Sequence, residues 1–279
     1  MRSTNESRFL MCPPHHFSVE YVINPWMQGQ VKAADQELAS RQWMDFHAVM
    51  TDYADVALMR AVSGLPDLVF TANAALVYGQ TAVVSSFRCP ERQPEARFYA
   101  EWLSADGFEV KAPPSGTLFE GAGDALFDRG IGSLLWLGYG YRSNAAALRF
   151  LETSIDAQVQ ELRLCDPRFY HLDTCFCPLN GGYLLYYPQA FDGQANAAIE
   201  SRIPAERRFP VSEKDAVHFA CNAVNIGNKV ILNYATPELT EWLASRGFEV
   251  IQTPMSEFIK AGGSTKCLSL RLNEYSEAA

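Results

Sequence analysis

Four stretches of this chain repeat one pattern about 50 residues apart, and that period restricts the fold more than any other feature. They are NAALVYGQTAVVS from Asn73, GDALFDRGIGSLLWL from Gly123, CFCPLNGGYLLYY from Cys175 and CNAVNIGNKVILN from Cys221. Each has an apolar arm, a turn rich in Gly, Asn, Asp or Gln, and a second apolar arm, as a β-hairpin requires. KCLSLRL from Lys266 is a fifth unit without its own return arm, and VEYVINPWM near the start is the expected partner that closes a ring. Helical patterns alternate with these units, within 30–63, 94–106, 144–156, 189–202 and 237–246. Pro94 and Pro237 suit a first helical turn, where a missing N–H costs nothing. ADGFEVKAP from Ala105 and SRGFEVIQTP from Ser245 are near-copies in which a helix stops at Gly107 or Gly247, a strand follows and a proline breaks it. With no linker or low-complexity segment to divide it, the chain is expected to form one domain over residues 1–279, a closed pseudo-symmetric α/β ring. A doubly wound parallel sheet competes, but NGG and IGNK read as hairpin turns rather than crossovers.

A hydrophobic share of 48% supplies the core such a ring needs, and a net charge of −9 argues against a nucleic-acid or anionic-membrane surface. No apolar run approaches the ~20 residues that span a bilayer, and the first residues lack the apolar segment of a secretory signal. Seven cysteines without framework spacing read as thiols in a reducing cytoplasm. Cys175 and Cys177 form a C-x-C pair with no second pair to close a metal site, so structural thiols are the expectation.

Candidate chemistry concentrates at the ends of these units. His171 precedes an apolar strand and Asp173 follows at i, i+2, which strand alternation would place on the same face. An imidazole satisfied by a backbone carbonyl is the equally weighted alternative. Glu120, between apolar residues and a Gly-Ala-Gly turn, is a carboxylate that burial would perturb, or one that simply faces water beside the turn. Asp67 and Asn73 bracket an apolar frame and either face a cavity or cap a strand. Arg92 and Arg142 are lone loop arginines, more often surface charges than anion clamps. Cys267 follows Gly262, Gly263, Ser264 and Thr265. A nucleophilic cysteine needs a nearby cation or base, and a Cys–His–carboxylate set is the general form of that arrangement.

In order, PDLVFTANAALV, FEGAGDALF, GYGYRSN, FYHLDTCFCPL and AGGSTKCLSL resemble motifs of the guanidino-group modifying enzymes of the pentein fold. That superfamily includes arginine deiminases, dimethylarginine dimethylaminohydrolases and amidinotransferases; YVINPWM also resembles the N-terminal segment of the arginine dihydrolases. The resemblance implies a five-fold pseudosymmetric ββαβ propeller with Cys267 as nucleophile, His171 as general acid and base, and Glu120 as the carboxylate that orients or charges the site. It implies that Asp173 grips the guanidinium and that Asp67, Arg92 and Arg142 hold the amino-acid end of the substrate. It implies no metal or organic cofactor. The expected partner is a small guanidino compound, with no nucleic acid or membrane, and a homo-oligomer is compatible with the same reading.

One departure bears on the reaction. Arginine deiminases carry a second aspartate where this chain has Asn73, whereas the dihydrolases carry asparagine there and share Asn24. An amide donates to a ureido oxygen as well as accepting from N–H, so Asn73 is expected to let the site hydrolyse citrulline a second time. Arginine dihydrolase chemistry, giving ornithine, CO2 and ammonia, is therefore the leading reading. Dimethylarginine dimethylaminohydrolase or arginine deiminase activity follows, then a non-catalytic arginine-binding protein. An amidinotransferase is disfavoured because no insertion builds an acceptor site.

Overall fold

In the computed structural model, which describes residues 7–130 and 132–274, the four repeated stretches each fold into an antiparallel hairpin. The remaining positions of the expected unit, 1–6, 131 and 275–279, lie outside the described residues. β1 (Arg8–Met11), α1 (Gln36–Tyr53) and β2 (Asp55–Leu58) come first. Four units of one order follow. They are β3 (Ala75–Tyr78), β4 (Thr81–Val84), α2 (Glu95–Ala105) and β5 (Glu109–Lys111), then β6 (Ala125–Phe127), β7 (Leu134–Tyr139), α3 (Ala146–Ser154) and β8 (Gln158–Arg163). The third is β9 (Phe176–Leu179), β10 (Tyr183–Tyr186), α4 (Gly193–Arg202) and β11 (Arg208–Pro210). After a short α5 (Glu213–Val217) the fourth is β12 (Val224–Ile226), β13 (Lys229–Leu232), α6 (Pro237–Ala244) and β14 (Glu249–Gln252). α7 (Ser256–Ile259) and β15 (Leu270–Arg271) complete the elements.

In each unit the third strand lies parallel to the second, because a helix carries the chain back across the sheet. The hairpins need tight turns, and Gly181 and Gly182, both at positive φ (+80° and +73°), supply the one between β9 and β10. The central strands β4, β7, β10 and β13 read as near-continuous apolar runs, as in LLWLGY of β7, because helices cover one face and neighbouring sheets the other, whereas the outer strands β5, β8 and β14 are partly exposed and more polar. Tyr99 and Leu103 of α2, Leu151 of α3 and Leu239 and Leu243 of α6 are fully buried on the helix side. Each such leucine contributes about 1.5–3 kcal/mol.

The fifth sheet is made by the two ends of the chain: β15 is antiparallel to β1, and β2 is parallel to β1. The closing strand is therefore RFLM and not the expected VEYVINPWM. Residues 19–27 contain no strand, and Asn24 caps a short 3-10 turn over Pro25–Met27. Pro25 lacks the N–H a ladder needs, which explains the difference. Within 30–63 the helix stops at Tyr53, and β2 occupies a stretch the helical pattern had absorbed.

A 3-10 turn precedes the first strand of three units, at Thr71–Asn73, Gly121–Gly123 and Leu172–Thr174. These turns pack on one another in series, and β15 packs on the first. Asp67 and Asn73 thus sit on 3-10 turns rather than at strand ends, and Asp67 lies on the turn Pro66–Val69. No helix among the described residues is long and apolar enough to cross a membrane.

Candidate active site

The turns that meet at the centre of the ring bring the expected residues together from distant parts of the sequence. Asn24, Asp67, Asn73, Arg92, Arg142, His171 and Cys267 all line one pocket. Glu120 and Asp173 stand immediately behind its wall, each fully buried and each bonded or in contact with a pocket residue.

His171 caps the turn Leu172–Thr174 in extended backbone, so it and Asp173 do not share a strand face as the i, i+2 spacing suggested. They part to serve different partners. His171 Nε2 lies 2.7 Å from Glu120 Oε2. Asp173 Oδ2 accepts from Cys267 Sγ at 3.5 Å. The turn replaces the strand because β9 begins only at Phe176.

Glu120 is not solvent-facing. Its Oε1 accepts from Arg88 N–H at 3.0 Å, and its Oε2 lies 3.4 Å from Arg142 Nη1. Burial opposes ionisation of Glu120, but Arg142, then His171 and Arg92, outweigh it and hold the carboxyl at about 2. At neutral pH His171 therefore faces a fixed anion. Asp173 is the opposite case. Burial pushes it up to about 7 in spite of nearby Lys266 and hydrogen bonds from Cys267 and Asn222. Burial first, and the Asp173 charge second, also push the Cys267 thiol up.

Both arginines expected in loops are buried rather than surface charges. Arg92 forms a two-pronged pair with Glu95 through Nε (3.0 Å) and Nη2 (2.8 Å), and its Nη1 donates to Asn73 Oδ1 at 2.8 Å. Arg142 donates from Nη2 to Ile23 O at 2.9 Å and lies over the Tyr170 ring, 4.6 Å from its centre. Asp67 accepts from the Tyr21 hydroxyl at 2.8 Å through Oδ2, while its buried Oδ1 has no hydrogen-bond partner among the described residues. Burial raises the Asp67 carboxyl above the usual carboxylate range, against the pull of Arg92 and the Tyr21 hydrogen bond.

Because Asn73 Oδ1 is taken by Arg92, its amide N–H groups are the ones turned to Glu120 O (3.4 Å) and the pocket. A Cβ on Gly123 would overlap Asn73 Nδ2, which gives the GAG motif a steric reason. Asn24 accepts from Trp26 and Met27 N–H (2.9 and 3.2 Å) and donates to Ala261 O at 3.0 Å, tying the N-terminal segment to the loop that carries Cys267.

Two further residues went unnoticed in the sequence. Asp124 accepts from Ser143 Oγ (2.6 Å) and from Leu172 N–H (3.1 Å), and Ser143 Oγ accepts from Glu120 N–H (3.0 Å), so one carboxylate braces the backbones of Glu120 and His171. Asn222 contacts Cys267 itself. A signal for it existed: FACNA from Phe219 matches FTANA from Phe70, and both asparagines stand two residues before the first strand of their hairpin.

The sequence profile of the N,N-dimethylarginine dimethylhydrolase family, in its eukaryotic form, matches residues 14–273. The chain belongs to that family, within the pentein superfamily. It is 36% identical over 273 residues to the N(G),N(G)-dimethylarginine dimethylaminohydrolase of Mycobacterium tuberculosis, covering 98% of this chain and 88% of the relative. It is 52% identical over 270 residues, 97% of its length, to the bifunctional arginine dihydrolase/ornithine cyclodeaminase ArgZ of Synechocystis sp. PCC 6803. The chain spans 38% of the length of that relative. The crystal structure of the N-terminal domain of ArgZ with product bound superposes with a TM-score of 0.95 at 52% identity, covering 97% of this chain and 98% of that one. The five-fold ββαβ propeller expected from the sequence is thus the fold this family member adopts.

Proposed function

We propose that this chain is an arginine dihydrolase, a cysteine-dependent hydrolase that removes both terminal nitrogens of the arginine guanidinium as ammonia. The observation that carries the proposal is the convergence of Cys267, Asp173, His171 and Glu120 on one pocket whose lining offers an amide, Asn73, in place of a second carboxylate. The 52% identity to ArgZ, whose N-terminal domain is described as an arginine dihydrolase with substrate or product bound, supports the same reading.

In this reading Asp67 Oδ1 receives the α-ammonium group, and the guanidinium enters beside Asp173. Charge then selects the reactive state. The thiol is held neutral by burial and by Asp173, and an arriving cation offsets both effects. Cys267 passes its proton to His171 as sulfur bonds to the central guanidinium carbon. His171 returns that proton to the departing nitrogen, ammonia leaves, and an S-alkylthiouronium remains. Glu120 stabilises the imidazolium that forms between these transfers. Water activated by His171 adds to the same carbon, the C–S bond breaks, and citrulline results.

The second round differs only in charge. Citrulline is neutral, and Asn73 donates an N–H to its ureido oxygen where a carboxylate would repel it. Sulfur adds again, ammonia leaves, and water cleaves the resulting S-carbamoyl group to a carbamate that loses CO2. One arginine and two waters thus give ornithine, CO2 and two ammonias.

Incubation with arginine followed by mass-spectrometric quantification of ornithine, citrulline and ammonia tests this reading. Ornithine and ammonia in a 1:2 ratio are expected, and Cys267→Ser should abolish turnover while binding persists. Citrulline as the sole end product would overturn the dihydrolase reading in favour of a deiminase-type reaction.

A further inference from the structure

Asn222 has no place in the chemistry described so far, yet every hydrogen-bonding capacity of its side chain is spent around Cys267. Its Oδ1 accepts from Cys267 N–H at 3.2 Å and from Ser264 N–H at 3.1 Å. Its Nδ2 donates to Cys267 Sγ at 3.1 Å and to Asp173 O at 3.0 Å. The residue is fully buried. Two backbone N–H groups facing Oδ1 settle the orientation of the amide, because reversing it would set donors against donors. Its main-chain oxygen accepts from Thr265 Oγ (2.7 Å) and Lys266 N–H (3.3 Å), so the loop around the cysteine is held to this one residue at several points.

The consequence for sulfur follows from charge. A thiolate accepts hydrogen bonds and a thiol accepts them only weakly, so an N–H fixed at 3.1 Å favours the ionised form. The other charged or titratable groups facing Cys267 are Asp173, Lys266 on its own loop and Tyr170, with His171, Asp67, Arg92 and Arg142 farther round the pocket. Asp173 is the near group, and its charge opposes ionisation. Lys266 favours it but forms no ion pair or hydrogen bond through its side chain among the described residues. Asn222 is thus the neutral side-chain donor that, together with the Ser264 N–H, offsets Asp173 at the sulfur atom.

We propose that Asn222 is a positioning residue for the nucleophile, whose amide holds the Cys267 loop in place through its oxygen and stabilises the attacking thiolate through its nitrogen. This rests on Cys267 being the nucleophile, but its test does not depend on which guanidino compound is turned over. The rate of Cys267 alkylation by iodoacetamide, followed from pH 6 to 10 by peptide mass spectrometry, reports the thiolate directly.

Asn222→Asp keeps both acceptor bonds but removes the donor to sulfur, and Asn222→Ala removes both. At every pH on the rising limb both variants should alkylate at least tenfold more slowly than wild type, as expected if the midpoint moves up by one pH unit or more. With arginine, kcat should fall by a similar factor and KM should change little. Rates within twofold of wild type in a folded Asn222→Asp protein would overturn the proposal, even if its thermal stability had dropped. Should the variants not fold, the wild-type protein decides. The Asn222 side-chain N–H resonances should move downfield as pH rises along that limb and stay fixed in Cys267→Ser; resonances indifferent to pH in wild type would count against it. Loss of turnover in Cys267→Ser bears on the nucleophile alone, so the two ideas fail separately.

Discussion

Asp173→Asn should make the protein more stable and nearly inactive at once. The carboxyl is fully buried, 3.5 Å from Cys267 Sγ, and burial holds it at about 7. In the unfolded chain the same group ionises near the ordinary value of about 3.9. A carboxyl raised in the folded state binds a proton there that it has already lost in the unfolded state. Stability therefore falls as pH rises from about 4 to about 7 and is flat above. The accumulated cost at pH 8 is about 4 kcal/mol, taking 1.36 kcal/mol for each pH step. An isosteric amide removes that cost, so the variant should gain little at pH 4 and several degrees in Tm at pH 8. Activity moves the other way. A guanidinium carbon in reach of Sγ lies about 4 Å from the Asp173 charge, worth about 4 kcal/mol at an effective dielectric of about 20. Losing it should lower kcat/KM for arginine by about 10^3. Cys267, freed of a neighbouring anion, should meanwhile alkylate faster than in wild type at the same pH. The assay pairs thermal unfolding at pH 4, 6 and 8 with steady-state kinetics and iodoacetamide labelling. A variant less stable than wild type at pH 8, or one retaining kcat/KM within tenfold, would refute the reasoning.

Asn73→Asp should cause citrulline to accumulate, because a carboxylate there pairs with Arg92 and presents no N–H to the ureido oxygen; an unchanged ornithine yield in the product assay would count against this role for the amide. Glu120→Gln removes the charge between His171 and Arg142 and leaves a buried guanidinium short of its partner, so a loss of about 3–5 kcal/mol in denaturant unfolding is expected alongside a large fall in kcat. The sign with pH is also set: with its carboxyl at about 2, Glu120 stabilises the fold above about 4.5. That contribution disappears as pH falls towards 2, so the wild-type advantage over Glu120→Gln should shrink over the same range.

Much of this protein was legible in its sequence because its information is local and repeated. Hairpin arms, turn residues and helix stops recur about every 50 residues, and four hairpins and the outer helices follow from them. The family and most of the residues that meet in the pocket were also readable, since a cysteine, a histidine and several carboxylates stood in motifs that resemble one superfamily. Three things were decided only by tertiary structure. The closing strand came from Arg8–Met11, because backbone pairing with β15 and β2 depends on partners more than 40 residues away. His171 and Asp173, two residues apart, part to different partners because the turn carrying them packs against its neighbours at the centre of the ring. Ionisation was the third. Glu120 and Asp173 are both fully buried carboxylates, yet one is held at about 2 and the other at about 7. The difference lies in whether an arginine stands beside them, and that neighbour is chosen by the fold and not by the residues adjacent in the chain.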